Sequence, residues 1–142
     1  MKKLLGILIL SIFLSFKSFA DDKLDYVFSN LQMDFSDCYA YYKVSEEGIK
    51  RSKSKMKDDA EKKLAEAAEL ALTGAFLIGE KVNMKTEAMT ARIKMSIEDM
   101  RRKIDGDYVN ISILIDQYGY LCRDLINDSR SRIQYWKNRY TN

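Results

Sequence analysis

The chain has 142 residues, of which 46% are hydrophobic and 32% charged, with two cysteines and neither histidine nor proline. These proportions are typical of one globular domain. Without histidine, the sequence excludes Ser-His-Asp and Cys-His nucleophilic sites and metal centres with histidine ligands. Because proline usually interrupts helices or occupies loops, its absence favours long helices.

The first twenty residues have the pattern of a secretory signal peptide. Lys2 and Lys3 precede an apolar stretch at 4–16, and Ser18 and Ala20 supply the small residues that a signal peptidase recognises. We therefore expect a signal peptide at residues 1–20 and a single mature domain at 21–142, secreted and most typical of the bacterial periplasm. The alternative is an uncleaved N-terminal anchor, although the apolar stretch is short for a membrane span.

The apparent basicity of the chain belongs to this first segment. The whole sequence carries a formal charge of +3, with 24 basic and 21 acidic residues, and residues 1–20 contain three of the basic and none of the acidic ones. Residues 21–142 therefore have a net charge of zero. Proteins that bind nucleic acids normally show a basic excess, so we expect no nucleic-acid partner.

The first helix of the mature chain is predicted from Leu24 onwards. Apolar residues recur there at alternating steps of four and three, as in a helix that packs against a partner helix. These positions are Leu24, Phe28, Leu31, Phe35, Cys38, Tyr42 and Ile49, and Ser45 fills the one gap in the series. Gly48 and the polar run at 50–55 predict the end of this helix.

A second helix is predicted to begin at Asp58 and Asp59, which suit a helix N-terminus. Its apolar positions are Leu64, Ala68, Ala71, Ala75, Ile78 and Val82. These small side chains, together with Gly74 and Gly79, predict that another backbone approaches closely. The pattern then continues to Ile104, either as one long helix over 58–104 or as two helices with a turn near 79–86.

The Asp105-Gly106-Asp107 sequence predicts a break before a fourth helix. The apolar positions that follow are Ile111, Ile115, Tyr118, Cys122 and Leu125, and a short terminal helix carries Ile133, Trp136 and Tyr140. We therefore predict an all-α fold, a single antiparallel helical bundle of about four long helices and a short C-terminal helix.

Cys38 and Cys122 are predicted to form a disulfide. Each occupies a core position in its helix, and two cysteines that are distant in the sequence of a secreted protein most simply pair with each other. The bond would join the first helix to the fourth. A reactive thiol would require a cationic setting or a neighbouring cysteine, and the sequence shows neither.

Two basic clusters are candidate contact surfaces. The first, called here the basic connector, comprises Lys50, Arg51, Lys53, Lys55 and Lys57. The second, the terminal cluster, comprises Arg130, Arg132, Trp136, Lys137 and Arg139. Both are expected to contact a protein partner or, peripherally, an anionic membrane surface. The alternative is that the connector is a solvated helix end, and that Ile133, Trp136 and Tyr140 cover the end of the bundle.

The sequence favours a non-enzymatic protein of the cell envelope that acts by binding another protein. No cofactor, metal-ligand set or catalytic constellation is recognisable in it. An alternative is a carrier or sensor that holds an apolar ligand between helices, because the Ala/Gly-lined second helix and flexible methionines would leave adaptable space. Those methionines are Met84, Met89, Met95 and Met100. A carboxylate-dependent hydrolase ranks last, with Glu46 and Glu47 acting beside Asp34 or Asp37.

Overall fold

The computed structural model of the chain describes the backbone of residues 2–51 and 57–140 and the side chains of residues 21–51 and 57–140. Within these ranges the chain is all-α. The helices are α1 (Lys2–Arg51), α2 (Lys57–Lys81), α3 (Thr86–Lys103), α4 (Ser112–Asn127) and α5 (Arg130–Tyr140). A 3-10 turn, Tyr108–Ile111, leads into α4. The prediction of an all-α fold is therefore confirmed.

The predicted helix boundaries after α1 agree with the observed ones, whereas α1 begins at Lys2 rather than at Leu24. Asp58 and Asp59 lie in the first turn of α2, where carboxylates interact favourably with the helix dipole. The chain between α2 and α3 turns at Asn83, whose φ is 54°, so residues 58–104 form two helices. Asp105 and Gly106 follow α3 with φ values of 53° and 68°, which confirms the predicted break.

Helix α1 is the centre of the fold, since it packs against each of the other four helices, most extensively against α2. The seam predicted for α1 describes only one of its buried faces. Gln32, Ser36, Ala40 and Val44 lie off that seam and are each 0% exposed. A helix with neighbours on several sides has no continuous solvent face, which the single apolar seam did not reveal. Leu24, at the start of the predicted seam, is 43% exposed.

The glycines of α2 are sites of close contact, but with side chains of α1 and α3 rather than with the backbone that the sequence predicts. A Cβ added to Gly74 would lie 2.6 Å from the ring of Phe35, and one added to Gly79 would collide with the Met89 side chain. Both glycines therefore admit a neighbouring side chain onto the helix backbone. The small residues of α2 serve tight packing at this end of the molecule.

The predicted seam of α4 is wrong in its first turn. Leu114 is fully buried, whereas Ile115 is 48% exposed. The predicted seam continues from Ile111 with α-helical spacing, but Ile111 belongs to the 3-10 turn. A 3-10 helix has 3.0 residues per turn, whereas an α-helix has 3.6. The positions that face the core therefore shift where the 3-10 turn gives way to α4. Tyr118 and Cys122 are buried as predicted.

The disulfide between Cys38 and Cys122 is present, with the two Cα atoms 5.2 Å apart. Both cysteines are 0% exposed, and the bond joins the middle of α1 to α4. The prediction of this pairing is confirmed.

Candidate functional site

A cavity of about 560 Å³ lies where the C-terminal part of α1 meets the start of α2, the 3-10 turn and α4. Its size falls within the range of about 300–1,000 Å³ that is typical of small-molecule sites. The apolar part of its wall is formed by Gly48, Ile49, Ala60, Leu64, Ile111 and Ile115. Ile115, which is misplaced in the predicted core, is therefore a wall residue of this cavity.

Two hydroxyl groups from α1 give the cavity its polar interior. Ser45 is 7% exposed, and its hydroxyl meets no hydrogen-bond partner in the described part of the chain. Tyr41 is 8% exposed and lines the same space. Burial raises the pKa of the Tyr41 phenol. The Ser45 hydroxyl lies near enough to the phenol to offset part of this effect, although the two groups do not meet in hydrogen-bond geometry. Both groups are therefore neutral near pH 7.

The ring of Tyr108 lines the cavity and is fixed by contacts with α1. Its hydroxyl donates to Oε2 of Glu47 at 2.5 Å, and the guanidinium of Arg51 lies over the ring at 4.3 Å from the centroid. Glu47 also accepts from Arg101 at 2.5 Å. A Cβ on Gly48 would come within 3.1 Å of the Tyr108 ring, so the glycine allows the ring to rest on α1. These contacts fix the position of Tyr108.

Lys63 is the charged residue of the cavity lining, and it lies on the solvent side. Its side chain is 72% exposed, and Nζ pairs with Oδ2 of Asp59 at 2.7 Å. Bonding to Asp59 raises the pKa of Lys63, so the ammonium is retained at the mouth. The interior of the cavity is therefore uncharged, with a mostly apolar wall, and the charge of Lys63 lies at its opening.

The structure places only part of the basic connector. Lys50 pairs with Glu46 at 2.6 Å and with Glu61 at 3.5 Å, while Arg51 covers the Tyr108 ring. Lys57 begins α2 and is partly exposed. The remaining members, Lys53 and Lys55, lie outside the described residues. Two of the predicted contact cations therefore have intramolecular partners.

Arg132 and Trp136 of the terminal cluster face α1. The Arg132 guanidinium donates to both carboxylate oxygens of Asp34, at 2.7 and 2.9 Å, and Trp136 Nε1 donates to Oδ2 at 2.6 Å. The Tyr26 ring meets the Trp136 ring edge-on, with centroids 6.2 Å apart. These contacts attach α5 to α1.

The other cations of the terminal cluster face outwards. Arg130 is 88% exposed and pairs with Asp128 at 2.9 Å, whereas Arg139 bonds to the Tyr135 hydroxyl. Lys137 is partly exposed. The two clusters are not brought together, since Arg51 lies 17 residues beyond the Asp34 contact, about 26 Å along α1.

The methionines predicted to leave ligand space do not line the cavity. Met89 and Met100 are each 1% exposed and belong to the packed interior, whereas Met95 is 67% exposed. Met84 is partly exposed near the turn after α2. The cavity instead opens at the other end of α2, beside Ala60 and Leu64.

The carboxylates proposed for a hydrolase are engaged separately. Glu46 accepts from Lys43 and Lys50, whose hydrogen bonds lower its pKa, while Asp37 accepts from Ser96 at 2.6 Å and its pKa is raised by burial. Nine residues separate Glu46 from Asp37 on α1, about 13 Å along the axis, beyond the 5–9.5 Å between paired glycosidase carboxylates. Among the residues with described side chains, no group of three or more ligating residues is placed to hold a metal.

Ser45 and Tyr108 line the cavity but are not among the predicted site residues. Ser45 occupies a gap in the apolar seam of α1, and a serine at a core position was a usable signal. Tyr108 lies in the 3-10 turn, and no local pattern predicts that its ring rests on Gly48.

No protein-family model, curated protein or solved structure matches the chain. Within the described residues, no helix combines the length and apolarity needed to cross a membrane.

Proposed function

We propose that this chain is a non-enzymatic protein that binds a small apolar molecule in the cavity between α1, α2 and α4. One observation carries the proposal: a half-open apolar cavity of about 560 Å³ that contains a buried, unpaired hydroxyl on Ser45. Unfilled apolar space and an unpaired buried polar group both reduce the stability of a fold. A ligand would offset both costs.

We further propose that the protein acts outside the cytoplasm, with residues 1–20 as its secretory signal and the bacterial periplasm as its compartment. The Cys38–Cys122 disulfide supports this, because such bonds persist in oxidising compartments. In the same proposal, residues 21–142 form one antiparallel bundle. The position of α1 against all four other helices supports a single unit.

The experiment is a fluorescence titration of the purified, oxidised protein with N-phenyl-1-naphthylamine, which brightens in apolar surroundings. Ile115 and Ile113 offer a matched pair on α4, being 48% and 47% exposed, and only Ile115 lines the cavity. We expect saturable binding by the wild type, binding at least about 10-fold weaker in Ile115→Trp, and wild-type binding in Ile113→Trp.

Two results would contradict the proposal. One is the absence of saturable binding by the wild type. The other is equal weakening by both tryptophan variants, which would place the dye on the surface of α4. Extraction of gently purified protein, followed by mass spectrometry, then identifies the natural ligand.

A second candidate function is the binding of another envelope protein, and exposed apolar side chains favour it. Val109 is 84% exposed, and Ile113 and Tyr120, seven residues apart on one face of α4, are 47% and 72% exposed. Exposed apolar patches commonly mark protein interaction surfaces. In-cell crosslinking tests this candidate: we expect Tyr120→Glu to lose a captured partner that Gln117→Glu, also exposed on α4, retains. Retention by both variants would contradict it.

A further inference from the structure

We propose that the ligand is electrically neutral and carries a hydroxyl or carbonyl group that forms a hydrogen bond with the hydroxyl of Ser45. This inference rests on the proposed ligand-binding function and specifies the chemistry of that same cavity. It concerns the polar group of the ligand, while the apolar wall accommodates the remainder of the molecule.

Among the α1 residues whose side chains are described, Ser36 and Ser45 are the buried serines, and a comparison shows that Ser45 is unusual. The Ser36 hydroxyl donates to the Gln32 carbonyl at 2.9 Å and accepts from the Gln32 side-chain amide at 3.1 Å. A serine within a helix commonly bonds in this way to the carbonyl four residues earlier. The Ser45 hydroxyl forms no such bond, although Ser45 is 93% buried (7% exposed) and lines the cavity. The Tyr41 phenol lies near this hydroxyl but does not meet it in hydrogen-bond geometry, so the Ser45 hydroxyl remains available to bond to a ligand.

The charges around the cavity indicate that the ligand's polar group is neutral. Near Ser45, the cavity is lined by the phenol of Tyr41, which stays protonated because burial raises its pKa. Lys63 lies at the opening and is already paired with Asp59. A carboxylate or ammonium beside Ser45 would therefore be buried without an opposite charge, which costs far more than burying a neutral group.

A serine hydroxyl both donates and accepts, so it can bond to a ligand hydroxyl or to a ligand carbonyl. The proposed ligand class is thus an apolar alcohol, phenol, ketone or ester.

The test uses three probes of one shape: naphthalene, 1-naphthol and 1-naphthoate, each displacing N-phenyl-1-naphthylamine from the oxidised protein. In the wild type we expect 1-naphthol to displace the dye at a concentration about 3- to 10-fold lower than naphthalene, the usual contribution of one hydrogen bond. We expect 1-naphthoate to be the weakest competitor. In Ser45→Ala, 1-naphthol and naphthalene should become equivalent.

Ser36→Ala is the control for a general effect of losing a buried serine. It removes the bonds to Gln32 but lies outside the cavity lining, so it should keep the preference for 1-naphthol. A preference that survives in Ser45→Ala, equal displacement by 1-naphthol and naphthalene in the wild type, or tightest binding of 1-naphthoate would overturn the inference while leaving the cavity as a binding site. Failure of the dye itself to bind would overturn the proposed function as well.

Discussion

The guanidinium of Arg132 and the carboxylate of Asp34 meet through two hydrogen bonds, although 98 residues separate them in the sequence. Their side chains are 21% and 10% exposed, so the ion pair is largely removed from water. None of the described residues of α5 is fully buried, and the helix lies against α1 through this pair and through the Trp136 indole. The attachment of α5 thus combines polar contacts with one carboxylate and ring contacts with Tyr26.

Arg132→Ala should reduce the free energy of unfolding by about 2–4 kcal/mol, because it leaves Asp34 buried without its counter-charge. Arg130→Ala is the matched control, since Arg130 also binds a carboxylate, that of Asp128, but is 88% exposed. Exposed pairs contribute about 0–1 kcal/mol. Urea unfolding measures both variants, and equal losses would show that the burial of the Asp34 pair has no energetic consequence.

Gly74→Ala should destabilise the protein by about 1–2 kcal/mol, because the new methyl group would lie 2.6 Å from the Phe35 ring and force α1 and α2 apart. Gly119→Ala should instead stabilise it by about 0.5–1 kcal/mol, the usual gain from alanine within a helix. There the nearest atom, the Tyr41 hydroxyl oxygen, would be 3.4 Å away. Thermal unfolding compares the two, and a stabilised Gly74→Ala protein would contradict the close contact.

Asp37→Asn should stabilise the protein at pH 7, with a gain that shrinks as the pH falls towards about 4. Burial, together with repulsion from Asp34 and Asp99, raises the pKa of Asp37 in the folded state. The folded state therefore holds the Asp37 proton more tightly than the unfolded state. The stabilisation from this group is present at low pH and is lost as the pH rises through the folded-state pKa.

Asp99→Asn is the control for this pH dependence, because the hydrogen bonds from Lys103 and Arg102 lower the pKa of Asp99. The Asp99 carboxylate should stabilise the folded protein at pH 7, and this stabilisation should be lost as the pH falls below the ordinary aspartate range. Asp99→Asn should therefore destabilise the protein at pH 7. Urea unfolding between pH 3.5 and 7, at about 0.1 M salt, measures both variants. Parallel pH profiles for the two variants would show that the pKa values of Asp37 and Asp99 are not shifted in opposite directions.

Reduction of the Cys38–Cys122 bond should lower the free energy of unfolding by about 4–5 kcal/mol, since the bond closes a loop with a sequence separation of 84 residues. That loss is comparable to the whole stability of a small domain. The measurement compares urea unfolding of the oxidised protein, the reduced protein and the Cys38→Ser/Cys122→Ser variant. Identical unfolding transitions in all three proteins would show that the disulfide does not contribute to the free energy of unfolding.

The sequence predicts most of the fold of this protein, because its signals are local or nearly so. Asp58 and Asp59 mark a helix start, Gly106 marks a break, and the core positions of Cys38 and Cys122 indicate their pairing. Each of these features depends on helical periodicity or on backbone chemistry within a few residues. The structure has the same features.

The cavity could not be predicted, because it is a gap between elements that are distant in the sequence. Its position depends on the rotation of α4 after the 3-10 turn, which exposes Ile115 and buries Leu114. It also depends on the Tyr108 ring, held by Arg51 and Glu47 from another helix. Periodicity identifies an apolar face but does not show whether that face is filled.

The central position of α1 has a consequence for the order in which the chain can fold. This helix comes first in the sequence, and each later helix packs on it. During synthesis from the N-terminus, the α1 surface that Trp136 and Arg132 contact stays without its partner until α5 has emerged. The contact between α1 and α5 therefore forms only after α5 has been synthesised and reaches Asp34.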